Sequence, residues 1–162
     1  MTRAIGLLIG LCSLAIGQDV KPEAAFLNAI GSLEHRVADG QPVDPVSRLR
    51  EELGFSIDSA EALLSTSRDY LSGLQAIDTA LRRSILERRM RVMAGDSVIS
   101  EPELLAQANK RRGVLLENAM QELRSKLGTR EGQSLRRFLE EGSQTGEYFP
   151  LRPDEKRIAR VN

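Results

Sequence analysis

Apolar side chains recur every three or four residues along most of the chain, which is the spacing of one face of an α-helix. The first such run begins at Pro22, a residue favoured in the first turn of a helix, and its apolar face extends from Phe26 to Val37. Asp39 and Gly40 follow, and residues of these types commonly end a helix. We therefore predict a first helix from Pro22 to about Val37.

A short helix and then a long one are predicted next. Asp44 stands at a helix-capping position, and Gly54 ends the short helix. No further proline occurs until Pro102, so the following helix can run from about Ser59 to Ala94. At about 1.5 Å per residue such a helix would be roughly 54 Å long. This length exceeds the diameter of a small globule, and the helix therefore needs a long partner.

The partner helix follows directly in the sequence. Ser100 and Glu103 form a capping-box pattern, and apolar residues at helical spacing continue to Leu127, just before Gly128. Two long amphipathic helices joined by a short connection are typical of an antiparallel helical hairpin. We therefore expect this hairpin to be the centre of the fold.

The predicted architecture is all-α, a long antiparallel helical hairpin with short flanking helices. Thr129 caps the last short helix, and no segment alternates between apolar and polar residues as a strand does. Turn residues and mixed charge fill residues 142–162, for which we expect a flexible C-terminal tail. The helical domain would then comprise residues 18–141 and follow a separate N-terminal segment, residues 1–17.

The N-terminal segment has the organisation of a secretory signal peptide. Arg3 precedes an apolar stretch of 13 residues, and Gly17 provides a small residue at the cleavage position. A membrane-spanning helix would need about 20 apolar residues. We therefore expect a periplasmic or secreted protein. Alternatively, the protein is a bacterial lipoprotein that is lipidated at Cys12. The lipoprotein signal, however, has Gly, Ala or Ser at the position that Leu11 occupies here.

Side chains that would indicate an enzyme or a metal centre are scarce. Cys12 is the only cysteine and His35 the only histidine, and no spacing typical of metal ligands occurs. The sequence also lacks a nucleophile elbow and a phosphate-binding glycine loop. Met90, Met93 and Met120 suit hydrophobic packing, with a soft-metal cluster as the alternative. We therefore predict no catalytic residues, no cofactor and no metal site.

Charge is unevenly distributed although the 23 basic and 23 acidic residues balance. This overall balance argues against a nucleic-acid partner. Residues 82–113, the distal part of the predicted hairpin, contain eight cations and four anions, whereas the remainder of the secreted chain has a net charge of −5. The balance therefore conceals a strongly polar molecule.

With the turn centred near Ser97 and Val98, the predicted register places Arg83 level with Arg112. The cations would then form a basic belt that attracts acidic or unfolded protein segments or an anionic lipid surface. In the alternative, the belt is a solvated surface whose arginines cover aliphatic side chains. The candidate partner-binding residues are Arg82, Arg83, Arg88, Arg89, Lys110, Arg111 and Arg112.

The signal peptide, the cysteine-free secreted chain and the central hairpin resemble the periplasmic Spy/CpxP-like (LTXXQ) proteins over about residues 22–141. The segments "SIDSAE" (56–61) and "LGTREGQ" (127–133) stand at the positions of the LTxxQ motif, and neither matches it. The resemblance implies a curved helical dimer with a basic concave surface that holds unfolded clients or senses envelope stress.

These observations lead us to expect an ATP-independent chaperone or an envelope-stress adaptor. The alternatives are a structural or interaction protein with one specific envelope partner and a metal-responsive sensor of the same architecture. A homodimer is also expected, because a hairpin with short flanking helices leaves apolar surface for a twofold partner.

Overall fold

The computed structural model describes residues 21–97 and 99–158. The predicted signal peptide, residues 1–17 with Cys12, lies outside the described residues. The described chain is mostly helical, as predicted, and also contains three short strands. The elements in chain order are α1 (Pro22–Leu33), β1 (Arg36–Ala38), β2 (Gln41–Pro42), α2 (Pro45–Leu53), α3 (Ile57–Met93), α4 (Glu101–Lys126), α5 (Thr129–Thr145) and β3 (Glu155–Arg157).

The two long helices lie close to their predicted positions, although α3 begins at Ile57 and not at about Ser59. α3 has 37 residues and α4 has 26. The Ser100 hydroxyl accepts a hydrogen bond from the Glu103 backbone N–H, and the Glu103 carboxylate accepts one from the Ser100 backbone N–H. This confirms the predicted capping box. At the start of α3 the cap is Ser56, whose hydroxyl accepts from the Ser59 backbone N–H at 3.3 Å.

The first helix is shorter than predicted, because the chain leaves it for a β-hairpin. α1 ends at Leu33, and β1 pairs with β2 in antiparallel register. Asp39 and Gly40 connect the strands with φ of 52° and 78°. Two positive φ angles are typical of a type I′ turn, for which Asp-Gly is a preferred sequence. The predicted helix through Val37 and the predicted absence of strands are therefore wrong. β3 pairs with the other edge of β1, giving the order β2-β1-β3.

The hydrophobic core lies at one end of the molecule, which we call the head. There α1 packs against α3 and α4, α2 packs against α3, and α5 packs against α1 and α2. Phe26, Leu63 and Leu123 are fully buried in this core. None of the described residues between Leu74 and Leu115 belongs to the core cluster. This part of α3, α4 and their connection forms a projection that we call the arm.

The C-terminal segment packs against the head. α5 continues to Thr145, beyond the predicted start of the tail. Phe149 is only 1% exposed, and the centre of its ring lies 4.8 Å from that of Phe138. A Cβ atom at Gly142 would lie 2.0 Å from the nearest ring atom of Tyr148, so the close approach of the ring requires glycine there. The segment therefore completes the aromatic part of the core.

Two buried arginines hold this segment in place. Arg36 is 1% exposed and donates to Glu155 at 3.1 Å and to the Phe149 carbonyl at 2.5 Å. Arg48 donates to the Pro150 carbonyl at 3.2 Å and lies 3.6 Å from Glu155. The predicted flexible tail is therefore wrong for the described part of this segment. From composition alone, these charged side chains would be expected on the surface, but here they form buried ion pairs.

Glu131 joins the beginning of α5 to the beginning of α3. One of its oxygens accepts from the backbone N–H and the hydroxyl of Ser56, both at 2.9 Å. The other accepts from the Ser59 hydroxyl at 2.5 Å. The Ser59 hydrogen bond, followed by those from Ser56, lowers the pKa of Glu131 to about 2. One carboxylate therefore supplies hydrogen-bond acceptors at two helix N-termini, where negative charge is stabilising.

Candidate partner-binding surface of the arm

The contacts within the arm fix the register of α3 against α4. Asp78 and Arg112 form an ion pair at 2.5 Å. Nearer the tip, Arg88 donates to the Ile99 carbonyl at 2.9 Å. The two helices therefore run in opposite directions, but Arg112 lies level with Asp78 and not with Arg83. The predicted register is wrong because the residues before α4 fold back along the last turns of α3.

Three of the seven predicted cations form ion pairs inside the arm. Besides the Arg112 pair, Arg83 contacts Glu87 one turn further along α3 at 2.8 Å, and Arg88 lies 3.9 Å from Glu101. The remaining four are exposed and have no ion-pair partner among the described residues. They are Arg82, Arg89, Lys110 and Arg111.

Most of these unpaired cations line two separate grooves. Arg82 lines a groove of about 560 Å³ that His35 also borders, where α1 ends beside α3. Lys110 and Arg111 line a second groove of about 700 Å³ together with Ile77. The seven cations therefore do not form one continuous belt. The structure brings Lys110 and Arg111 together and places Arg82 elsewhere.

The groove beside Lys110 and Arg111, which we call the arm groove, combines positive charge with apolar surface. Val114, which is 48% exposed, and Leu115 form part of its lining. Gly73 lies at one end, and a Cβ atom there would lie 2.8 Å from the Leu115 side chain. An apolar surface bordered by cations matches a segment that carries both apolar and acidic side chains.

The arm also exposes large apolar side chains beyond the arm groove. Leu86, Met90 and Met93 are 59%, 64% and 88% exposed, and their spacing places them along one side of α3. Contiguous exposed apolar surface of this kind commonly marks an interaction site. Methionine adapts its shape to different partners. The tip therefore has the properties of a binding surface.

The capping residues fix the beginning of α4 at the tip of the arm. Hydrogen bonds from the Ser100 hydroxyl and then from its backbone N–H lower the pKa of Glu103 below its usual value. Glu103 therefore remains ionised at neutral pH and keeps the capping box formed. The helix that carries Lys110 and Arg111 thus begins at a defined position.

The candidate metal ligands lie apart from one another in the part of the chain that the structure describes. No group of three or more His, Cys, Asp and Glu side chains there is placed to hold a metal ion. Met120 is buried in the head while Met93 lies at the tip, so the two do not form a soft-metal cluster. The Ser67 hydroxyl donates to the Leu27 carbonyl at 2.5 Å. This serine therefore has a structural hydrogen bond.

Comparison with protein-family models, curated proteins and solved structures gives no match. Among the described residues, none of the helices combines the length and the hydropathy that crossing a membrane would require. The geometry of the arm therefore carries the functional proposal.

Sequence reasoning missed the residues that organise the head. Arg36, Arg48 and Glu155 are charged residues in polar stretches, and nothing in their spacing indicates burial. Glu131 lies three residues after Gly128, which gives a weak capping signal for α5. Its contacts with the start of α3 have no signal in the sequence, because they join residues that are far apart along the chain.

Proposed function

We propose that the protein is a periplasmic or secreted binding protein without enzymatic activity, acting as an ATP-independent chaperone or an envelope-stress adaptor. The observation that carries this proposal is the arm groove, where Lys110 and Arg111 lie beside the exposed Val114. Charge and apolar surface meet there outside the core of the head. The clients would be unfolded or partly folded segments that contain acidic and apolar residues.

The two kinds of side chain have different roles in such binding. Lys110 and Arg111 raise the rate of encounter with acidic segments, because long-range attraction acts before contact. Val114 and the lining of the arm groove then stabilise the bound segment by removing apolar surface from water. The exposed methionines at the tip tolerate segments of different sequence. This combination suits a protein that holds several clients.

A structural or interaction protein with one specific envelope partner is the second candidate. The close contact of Gly73 with Leu115 and the Asp78–Arg112 ion pair favour it, because they give the arm groove a fixed shape. A preformed groove loses little conformational entropy on binding and therefore suits a single complementary helix. Suppressing the aggregation of several unrelated clients supports the chaperone, whereas activity towards one partner alone supports the interaction protein.

Charge reversal in the arm groove tests the proposal. The variant Lys110→Glu/Arg111→Glu is compared with Arg130→Glu/Arg137→Glu, which makes the same charge change on the exposed surface of the head. Association rates are measured by stopped-flow fluorescence with an unfolded acidic protein. We expect the arm variant to associate more slowly and the head variant to resemble the wild type. Circular dichroism verifies that both variants remain helical.

Salt dependence provides a second measurement on the same proteins. The Debye length falls from about 10 Å at 0.1 M to about 3 Å at 1 M ionic strength, so the advantage of the wild type should disappear as salt rises. Equal rates for wild type and arm variant at every salt concentration would overturn the role of the arm groove. Binding to anionic vesicles but not to the unfolded protein would also overturn it, because the ligand would then be a lipid surface.

A further inference from the structure

A groove remains open on the head between α4 and α5. α4 packs against α1 and α3, whereas α5 packs against α1 and α2, so a gap is left between these two consecutive helices. Its volume is about 660 Å³, which lies within the range of about 300–1,000 Å³ that is typical of sites for small ligands. We call this gap the head groove.

The base of the head groove is apolar. Met120 and Leu127 from α4 line it, together with Leu135 and Leu139 from α5. These four side chains belong to the hydrophobic core or pack against it, which fixes their positions. A Cβ atom at Gly132, which also lines the groove, would have no neighbour within 4 Å. The head groove therefore combines a fixed apolar surface with open space beside it.

Charged side chains of both signs also line the head groove. They are Glu23 from α1, Arg124 from α4, and Arg136 and Glu140 from α5. Within residues 21–97 and 99–158, none of the four forms an ion pair. Arg136 and Glu140 lie one helical turn apart, a spacing at which ion pairs form in other helices, but here the two side chains remain separate. All four charges are therefore available to a ligand.

We propose that the head groove binds a single-chain amphiphile whose polar end carries both a phosphate and an ammonium group. The apolar chain lies on the base of the groove, where contact removes it from water. Arg124 and Arg136 donate hydrogen bonds to the phosphate, because the planar guanidinium matches the geometry of phosphate oxygens. The carboxylates of Glu23 and Glu140 accept hydrogen bonds from the ammonium group. The site is separate from the arm groove, so the inference goes beyond the proposed function.

The mixed charge of the head groove favours this chemistry over other ligands. An amphiphile with only negative charge would be attracted by Arg124 and Arg136 but repelled by Glu23 and Glu140. An amphiphile with only positive charge would meet the opposite problem. An uncharged apolar ligand would displace water from these charges without replacing its hydrogen bonds. A headgroup that carries both signs pairs with all four side chains.

Isothermal titration calorimetry with two synthetic single-chain lipids tests the inference, each below its critical micelle concentration. One lipid has a phosphoethanolamine headgroup, and the other has a phosphoglycerol headgroup, which lacks the ammonium group. The wild type should bind the phosphoethanolamine lipid about tenfold more tightly, because only this lipid pairs with Glu23 and Glu140. Arg124→Gln/Arg136→Gln should weaken the binding of both lipids by about tenfold or more. Glu23→Gln/Glu140→Gln should weaken only the phosphoethanolamine lipid and so remove the preference.

Filling the head groove is a second test. The ring introduced by Gly132→Phe would enter the open space beside α5, so this variant should lose the binding of both lipids while its circular dichroism spectrum stays helical. Gly113→Phe is the matched control, because Gly113 is also a helical glycine with open space around it but lies outside the groove. We expect this control to bind the lipids as the wild type does.

Several results would overturn the inference. They are failure of the wild type to bind either lipid, equal affinity of the wild type for the two lipids, and unchanged binding by Arg124→Gln/Arg136→Gln or by Gly132→Phe. Association with the unfolded acidic protein is measured on the same preparations. The head groove and the arm groove share no lining residue, so the lipid variants should associate with that protein at the wild-type rate. The two proposals can therefore fail separately.

Discussion

Replacing Glu131 by Gln tests whether one carboxylate stabilises the beginnings of both α3 and α5. The substitution preserves the size of the side chain and one acceptor oxygen but removes the negative charge. The wild-type carboxylate accepts from the Ser56 backbone N–H and from the hydroxyls of Ser56 and Ser59. Glutamine leaves at least one of these donors without a good acceptor. We therefore expect Glu131→Gln to lower the free energy of unfolding.

The lowered pKa gives the size of the effect. A pKa of about 2 against an ordinary value of 4.5 corresponds to at most about 3 kcal/mol at 1.36 kcal/mol per pH unit. Glu131 is partly exposed, and solvent screening reduces this to about 1–2 kcal/mol. Because the pKa is lower in the folded than in the unfolded protein, the stabilisation is complete above about pH 5. It is lost as pH falls from about 4.5 towards 2.

Urea unfolding at pH 7 and at several lower pH values measures the effect. The difference between wild type and Glu131→Gln should be about 1–2 kcal/mol at pH 7 and should shrink as pH falls, because the wild-type carboxyl then becomes neutral too. Glu140→Gln is the control, because Glu140 lies on the same helix and is exposed. A difference that stays constant down to pH 2, or an equal loss in the control, would refute the reasoning.

Two further predictions concern the packing of the C-terminal segment. Gly142→Ala should destabilise the protein by about 1–3 kcal/mol, because the new methyl group would overlap the Tyr148 ring. Gly132→Ala on the same helix is the control. A methyl group there would enter open space, so this variant should be neutral or stabilising by up to about 1 kcal/mol. Equal melting temperatures for these two variants would contradict the packing. Arg36→Met leaves Glu155 buried without its closest cation, so the free energy of unfolding measured in urea should fall by about 3–5 kcal/mol. A fall of less than about 1 kcal/mol would show that the ion pair is solvated.

The sequence predicts the helices best where capping residues and apolar spacing agree. The Ser100–Glu103 capping box starts α4 as expected, and Asp44 caps α2 with hydrogen bonds to the backbone N–H groups that follow it. Gly54 ends α2 in the left-handed conformation that glycine favours. These signals are local, because each cap bonds within its own turn of helix. Local signals can be identified in a single sequence.

The β-hairpin could have been predicted, because Asp39-Gly40 is a preferred turn sequence. The apolar spacing of α1 continues through Val37 and conceals this turn. β3 could not have been predicted, because a strand of three residues carries no usable periodicity. β3 is held in place by Glu155, which accepts a hydrogen bond from Arg36. The two residues are 119 positions apart in the sequence. Contacts between residues so far apart in the sequence form only in the folded protein, so the local sequence carries no signal for them.

The candidate site could be predicted only as a set of cations. Composition correctly locates the excess of positive charge in the arm, but whether a cation is paired depends on the register of two helices. The residues before α4 fold back along α3, and this moves Arg112 beside Asp78. Lys110 and Arg111 are left without an ion-pair partner among the described residues.

Basic residues have opposite roles in the head and in the arm, so substitutions in the two regions should have different effects on stability. In the head, Arg36 and Arg48 are buried and bonded to the C-terminal segment, so their loss should lower the free energy of unfolding. In the arm, Lys110 and Arg111 are exposed and lie outside the core cluster, so reversing their charge should leave the free energy of unfolding nearly unchanged. Loss of binding in an arm variant that unfolds normally therefore reports on binding itself.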